Sequence, residues 1–343
     1  MTNPLNPTDI RIGVIGVGKM GSDHVQRIVE RTKGAQVTVI TDYFRETAEK
    51  VSATAPGSRV VDTWEELIAA DDVDAVIIAS PGQFHKDQAI ACIKANKPVL
   101  CEKPLAMTPE DAYEVVQVEN DHGASLVSLG FMRRFDAEYV ELKDALDAGE
   151  LGETMVMNCK HRNAEVGPEF KDEMMVYDSA VHEIDAINYF FGEPIVEVQT
   201  ITPTPSTNAH PGQHDPMIFI FRTESGRIIT DELYVNTKAG YEVRTEILGS
   251  KGISTIGLGI SRVTTHQAGS HWGGNVPLDF RPRFIDAYDA EVQAWVRAIK
   301  TGHNVATRSA TAWDGYVGAA VCAAAHASLT STTPVKVELK PRP

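Results

Sequence analysis

Basic residues are in deficit. Lys and Arg number 32 against 47 Asp and Glu, which leaves a net charge of −15. No Lys/Arg-rich run supplies the basic footprint that nucleic acid requires, and the acidity argues against an anionic membrane surface as partner. Long apolar runs are also missing. The longest weakly charged stretch, GYVGAAVCAAAHASL near the C-terminus, is Ala-rich, carries a His and is shorter than the roughly 20 residues of a membrane span. It reads as a buried helix. The opening MTNPLNPTDIR has no segment of signal-peptide type. Cysteine is scarce: Cys92, Cys101, Cys159 and Cys322 lie far apart without a CxxC spacing, so a disulfide framework is not expected and a cytoplasmic setting is. What remains is an ordinary globular balance, 43% hydrophobic and 23% charged, over 343 residues, a length natural for two domains.

From residue 11 to about 129, short apolar runs alternate with amphipathic helical patterns: IGVIGVG, QVTVITD, VDAVIIAS, PVLCEKP and ASLVSLG read as strands with helices between them. Strands apolar throughout, separated by helices, signal a parallel sheet covered on both faces. Residues 1–129 are expected to form a doubly wound Rossmann α/β domain. After about residue 150 the texture changes to β-branched runs such as ETMVMNCKHR, IVEVQTIT, MIFIFRT, RIITDELYVN, YEVRTEILGS and GISTIGLG, joined by turn signals. Residues 130–343 are expected to form an α+β domain on an open, mostly antiparallel sheet flanked by helices, with the helix at about 311–329 packing back on the first domain. Two segments without periodicity, TPTPSTNAHPGQHDP and HQAGSHWGGNVPLDFRPR, read as loops.

Gly16, Gly18 and Gly21 have GxGxxG spacing, with Lys19 and Met20 between them. The motif follows a strand and opens a helix, which is the context dinucleotide binding needs: a tight turn, close backbone approach and a helix N-terminus for the pyrophosphate. Strand two ends at Asp42, where a carboxylate accepts from the ribose hydroxyls and repels a 2′-phosphate, so NAD is expected over NADP. Arg45 pulls the other way, and Asp42 could equally cap the next helix. ASPGQFH places Ser80, Pro81 and His85 at a strand's carboxyl end, where ligands of open sheets bind; plain loop chemistry is the competing reading. In VLCEKPLAM a buried strand runs into Glu102 and Lys103 before Pro104. A lysine there can relay a proton or bind a substrate oxygen; a Glu102/Lys103 surface pair is the alternative. In VYDSAVHEIDAINYF a helix would bring Asp178, His182 and Asp185 to one face, opposite Ala180, Ile184 and Ile187. That face could meet water, hold a metal with His161, or wall a cleft.

The glycine motif, Glu102-Lys103-Pro104 and Asp178-x-x-x-His182, together with GFMRRFDAEY, HRNAEVG, DSAVHEID, YVNTKAGYE and TAWDGY, resemble the glucose–fructose oxidoreductase / inositol dehydrogenase / rhizopine-catabolism family, and within it the inositol dehydrogenases. The likeness extends over nearly the whole chain. It implies the two-domain fold above, tetramers formed through the second sheet, and Lys103, Asp178 and His182 as the catalytic set. It places Met132, Arg133, His161, Asn163, Asp185 and Tyr241 around a polyol, with no metal. The implied activity is NAD-dependent oxidation of a ring hydroxyl, foremost myo-inositol to its 2-keto product. Another inositol isomer or a pyranose is the first alternative, and a non-catalytic NAD-binding regulator the second. The stretch from His266 to Pro282 is less typical of the family and could tune which polyol fits.

Overall fold

The apolar runs of the first half do become parallel strands. In the computed structural model, which describes residues 8–257, 266–268, 271–273 and 276–343, β1 (Ile10–Ile15), β2 (Ala35–Thr41), β3 (Arg59–Val60), β4 (Ala75–Ile78), β5 (Val99–Glu102) and β6 (Val127–Gly130) form one sheet in the order β3-β2-β1-β4-β5-β6. Every neighbouring pair is parallel. Five helices link them: α1 (Lys19–Glu30), α2 (Arg45–Ser52), α3 (Trp64–Ala69), α4 (His85–Lys94) and α5 (Pro109–His122). This is the strand order of a dinucleotide-binding sheet, whose order reverses between β1 and β4. The core is apolar on both faces: Ile12, Val14, Val37, Ile40 and Ile77 are fully or almost fully buried against Val25 and Ile28 of α1. Helix ends follow local chemistry. Thr108 accepts from the Asp111 N–H at 3.1 Å, Pro109 occupies the first turn of α5, and Gly123 closes it at φ +80°. β3, only two residues long, and the short α3 left no periodicity to read in the sequence.

The second half yields α6 (Ala137–Asp147), β7 (Thr154–Arg162), α7 (Asp172–Met174), a π-helical turn (Met175–Ala180), α8 (Val181–Phe191), β8 (Ile195–Ile201), β9 (Met217–Thr223), β10 (Ile228–Tyr234), β11 (Glu242–Gly249) and β12 (Ile253–Ile256). Seven strands, the seventh being Val335–Lys336, form a sheet in which only β7 and β10 run parallel. The sheet is therefore mostly antiparallel, as the turn-linked, β-branched texture implied. Burial alternates along β7, β9, β10 and β11, so one face is buried and the other half-covered. The segment read as a second loop contains a short hairpin, β13 (His266–Ala268) with β14 (His271–Gly273); its remaining positions at 269–270 and 274–275 lie outside the described residues. Two helices close the chain before the last strand, α9 (Arg281–Lys300) and α10 (Ala312–Ser328). The chain divides into two compact units, residues 1–132 with 288–319 and 341–343, and residues 133–287 with 320–340. Val292, Trp295 and Val296 of α9 belong to the apolar core of the first unit.

Candidate active site

In the first unit, the carboxyl ends of β1, β2 and β4 open on a cavity of about 1110 Å³ lined by Gly16, Gly18, Met20, Asp42, Ser80 and Pro81 among others. The glycine loop is shaped for close approach. A Cβ on Gly16, at φ +81°, would lie 2.6 Å from the Ser80 nitrogen, and one on Gly21 would lie 1.9 Å from the Gly16 carbonyl oxygen. A Cβ on Gly18 would meet nothing within 4 Å, so this backbone faces open space that a side chain would fill. α1 begins at exposed Lys19 with no side-chain cap and no acid in its first turn. Its leading N–H groups are thus left for an anion. Asp42 accepts from the Val17 N–H at 2.7 Å and the Phe44 N–H at 2.9 Å, which aims its carboxylate across the glycine turn. These residues fit a dinucleotide: a cradle that any side chain would fill, an uncapped helix start and a placed ribose acceptor.

The sequence pointed to the floor of this cavity and to the TDYFR stretch beside it, but not to Asp62, Trp64 and Glu65 in its outer wall. Tyr43, Phe44, Asp62, Trp64 and Glu65 line it as well, and Tyr43 is 94% exposed. The available signal was the Thr63-x-x-Glu66 helix start beside the half-buried Trp64; Thr63 does cap α3, accepting from the Glu66 N–H at 3.2 Å. Arg45 does not line the cavity. It is bound by Glu49 at 2.9 Å and by Asp62.

His85 also lies behind the wall. It is buried, and its Nδ1 and Nε2 sit 2.6 and 2.7 Å from the carbonyl oxygens of Pro104 and Ser80. Burial lowers its pKa, partly offset by those two carbonyls and by Glu102. Its geometry is that of a brace between the end of β4 and the turn after Lys103.

Glu102 likewise points inward. His24 lies 2.8 Å from it through Nε2, and Arg27 reaches His24 Nδ1 at 3.1 Å. Because the guanidinium can only donate, Nδ1 must accept, and Nε2 carries the proton given to Glu102. Arg27 is held in turn by Asp23 at 2.6 Å and Asp289 at 2.7 Å. Glu102 is therefore not half of a surface pair with Lys103. It ties β5 to α1, and leaves the partly buried Lys103 as the first residue beyond the strand.

In the second unit, the helix carrying Asp178, His182 and Asp185 is not amphipathic in the simple sense. From Val181 to Ile187 every residue is buried. Asp178 is exposed and belongs to the π-helical turn, an irregularity often found at functional sites, which a heptad-type reading could not foresee. The acids of α8 are committed to arginines. Asp185 accepts from Arg134 at 2.6 Å and twice at 3.1 Å. Arg133, 2% exposed, is bound to Glu183, whose other oxygen lies 3.0 Å from His161 Nδ1. Asp136, next in sequence but two to Arg133, is taken by Arg283.

Burial alone would raise the Glu183 carboxyl, but the Arg133 guanidinium and then the His161 ring hold it down to about 2. Two groups meet Nδ1, and the Glu183 oxygen at 3.0 Å is closer than Arg133 Nη2 at 3.4 Å, so Nδ1 donates to Glu183 and the neutral ring offers Nε2 as acceptor. The rings of His161 and His182 are 6.3 Å apart, and Tyr241 stands edge-on to His161 at 5.8 Å. The structure thus gathers Arg133, His161, His182 and Tyr241 within one unit, with Glu183 as the member that sequence reasoning missed. Asn163 follows β7, its backbone N–H bonded to Tyr234 and its carbonyl accepting from Thr237. Met132 is buried just before Arg133. Among the described residues, no group of three or more His, Cys, Asp or Glu is placed to hold a metal ion.

Beneath this cluster, Asp231 on β10 is fully buried and neither carboxyl oxygen has a hydrogen-bond partner among the described residues. Burial, reinforced by the Glu183 charge, pushes its pKa well above the usual carboxylate range. A carboxyl whose folded pKa is raised loses stability as pH climbs from its unfolded value toward its folded one. Asp231→Asn, isosteric and uncharged, should therefore match the parent's melting temperature near pH 4 and exceed it by a few degrees at pH 7, since a tenfold change in proton affinity on folding corresponds to about 1.4 kcal/mol. Equal melting temperatures at both pH values would mean that Asp231 carries no such penalty.

Comparison with known proteins gives the family. Residues 10–131 match the Oxidoreductase family model described as an NAD-binding Rossmann fold, and residues 143–337 match that family's C-terminal alpha/beta domain. Inositol 2-dehydrogenase of Mycolicibacterium smegmatis is 47% identical over 98% of both chains, and that of Rhodococcus erythropolis 46% over 97% of both. Among solved structures, myo-inositol dehydrogenase from Lactobacillus casei with NAD(H) and myo-inositol superposes at a TM-score of 0.93, with 30% identity over 98% of both chains. The scyllo-inositol dehydrogenase of the same organism with NAD(H) and scyllo-inositol reaches 0.87, at 26% identity over 96% of this chain and 99% of that one. The chain belongs to the glucose–fructose oxidoreductase / inositol dehydrogenase / rhizopine-catabolism family of oxidoreductases, and its cofactor is NAD.

Proposed function

We propose that the protein oxidises a ring hydroxyl of an inositol, foremost myo-inositol to its 2-keto product scyllo-inosose. The carrying observation is end-to-end similarity, at 42–48% identity, to proteins named inositol 2-dehydrogenase. The His161 and His182 rings, 6.3 Å apart, support it, because an uncharged polyol must be recognised by donors and acceptors, and Asp178 and Asn163 are the further polar candidates. In this reading Gly16, Gly18, Met20, Asp42, Ser80 and Pro81 hold the NAD, with Lys19 at the helix start. The bound NAD supplies the hydride acceptor.

The chain must handle the proton. His182 takes it from the reacting hydroxyl, imidazole being the side chain whose ordinary pKa suits a general base near neutral pH. Lys103 donates to the same oxygen and favours its developing negative charge. Asp178 accepts from a neighbouring hydroxyl and so orients the ring. His161, with Nε2 as acceptor, receives another. Arg133 and Asp185 act behind these contacts, Arg133 by fixing Glu183 and so His161, Asp185 by fixing Arg134; Met132 and Tyr241 supply walls.

We further propose that the half-covered sheet face joins copies into a tetramer and that the protein works in the cytoplasm. Among the described residues no helix is long and apolar enough to cross a membrane.

The test is NADH absorbance with a panel of inositol isomers and pyranoses at alkaline pH. Myo-inositol is expected to show the highest kcat/KM. A higher value for scyllo-inositol, D-chiro-inositol or a sugar would overturn the isomer assignment. No turnover with any of them would favour a non-catalytic regulator.

A further inference from the structure

The adenosine side of the cofactor cavity carries an electrostatic arrangement that Asp42 alone does not explain. The charged residues lining the cavity, Asp42, Asp62 and Glu65, are all acids. Arg45, the first residue of α2 and three positions beyond Asp42, is a cation in this neighbourhood. An arginine so placed, with its planar fork of donors, is the ordinary receptor for a 2′-phosphate. Here its Nε is bound to Glu49 at 2.9 Å, and its terminal nitrogen is bound to Asp62.

Asp62 is held in place independently of the arginine. β3 pairs with β2 through Ile40 and Val60, the Val61 N–H bonds to the Ile40 carbonyl at 3.0 Å, and the Asp62 N–H bonds to Glu66 at 3.2 Å. Glu66 also belongs to the Thr63 cap of α3. The carboxylate therefore sits on a backbone fixed by the sheet and a helix start, at the cavity wall, with the guanidinium drawn to it.

We propose that Asp62 is a second determinant of cofactor choice, acting by withholding Arg45 from the 2′-phosphate of NADP. Asp42 takes the ribose hydroxyls, and Asp62 keeps the nearby arginine engaged. The pair is exposed, at 55% and 69% of the side chains, so neither variant below threatens the fold. Exposed ion pairs contribute little to stability, and the effect lies in occupancy of a receptor rather than strength of a bond.

The inference rests on the NAD cavity and not on which polyol is oxidised, so the test measures cofactor binding alone. NADH and NADPH are titrated separately into the protein without substrate, read by the change in reduced-nicotinamide fluorescence. Binding of NADH to the parent protein checks the cavity assignment itself. In Asp62→Asn the ratio of the NADPH to the NADH dissociation constant should fall by about tenfold or more, the scale of one charge-assisted contact. Adding Arg45→Gln to that variant should restore the parent's ratio. An unchanged ratio in Asp62→Asn overturns the proposal. So does a double variant that keeps the gain, because the acid would then act by repulsion and the arginine would have no part.

Discussion

Lys103→Met is expected to lower kcat by about a hundred- to ten-thousandfold while NADH still binds, the range that a positioned proton-handling or donor group contributes. Methionine keeps the length and the apolar stem and removes only the ammonium. The backbone at this point does not depend on the side chain. Glu102 pairs with Gly130 across β5 and β6, where a Cβ on Gly130 would come within 3.1 Å of the Glu102 carboxylate. Glu102 is also fixed by His24, and the Pro104 carbonyl by His85. The variant should fold, and NADH fluorescence should report a dissociation constant close to the parent's. If Lys103 acts only in binding the polyol, KM will rise with kcat intact; if it stabilises the developing oxyanion, kcat and kcat/KM fall together. Parental turnover in the variant would remove Lys103 from the mechanism.

The dinucleotide cradle was legible in the sequence because its parts are local. Glycines at fixed spacing, a preceding apolar strand and an acid at the end of the next strand need only about thirty residues of context. The second unit's wall is different. Residue types at 178, 182 and 185 were visible, yet their geometry depends on partners far along the chain: Arg134 for Asp185, Arg133 and His161 for Glu183. A helix read by periodicity sends Glu183 away from the face shared by its neighbours, so nothing in the pattern marked it. The π-helical turn at Met175–Ala180 alters the register just where Asp178 sits, and it has no compositional signature. Asp62 and Trp64 escaped for a related reason. They follow a two-residue strand, too short to show a period, and only the pairing of β3 with β2 brings them to the cofactor cavity.

Glu183 should matter more for stability than any other acid of the second unit. It is 1% exposed, carries a charge, and faces Arg133, itself 2% exposed. Removing one partner of such a pair strands the other as an uncompensated buried charge, which costs about 3–5 kcal/mol. Glu183→Ala is therefore expected to lower the melting temperature of the second unit by roughly 10 °C, at about 2–4 °C per kcal/mol.

The pH dependence gives a sharper check. The folded-state pKa, about 2, lies below the unfolded value of 4.5, so the group's contribution is fully present above pH 4.5 and is lost as pH falls toward 2. A tenfold change in proton affinity on folding corresponds to about 1.4 kcal/mol, so the loss across this interval is readable as a fall in melting temperature. The parent should lose its advantage over the variant across this window, and the two should converge at the acid end. A double variant, Glu183→Leu with Arg133→Met, removes both charges together and should recover most of the lost stability, because the cost lies in the stranded charge and not in the absent pair. It should not recover activity, since His161 would no longer have an anion at Nδ1 to hold its proton there and keep Nε2 as acceptor. Recovery of activity along with stability would show that Glu183 serves packing alone.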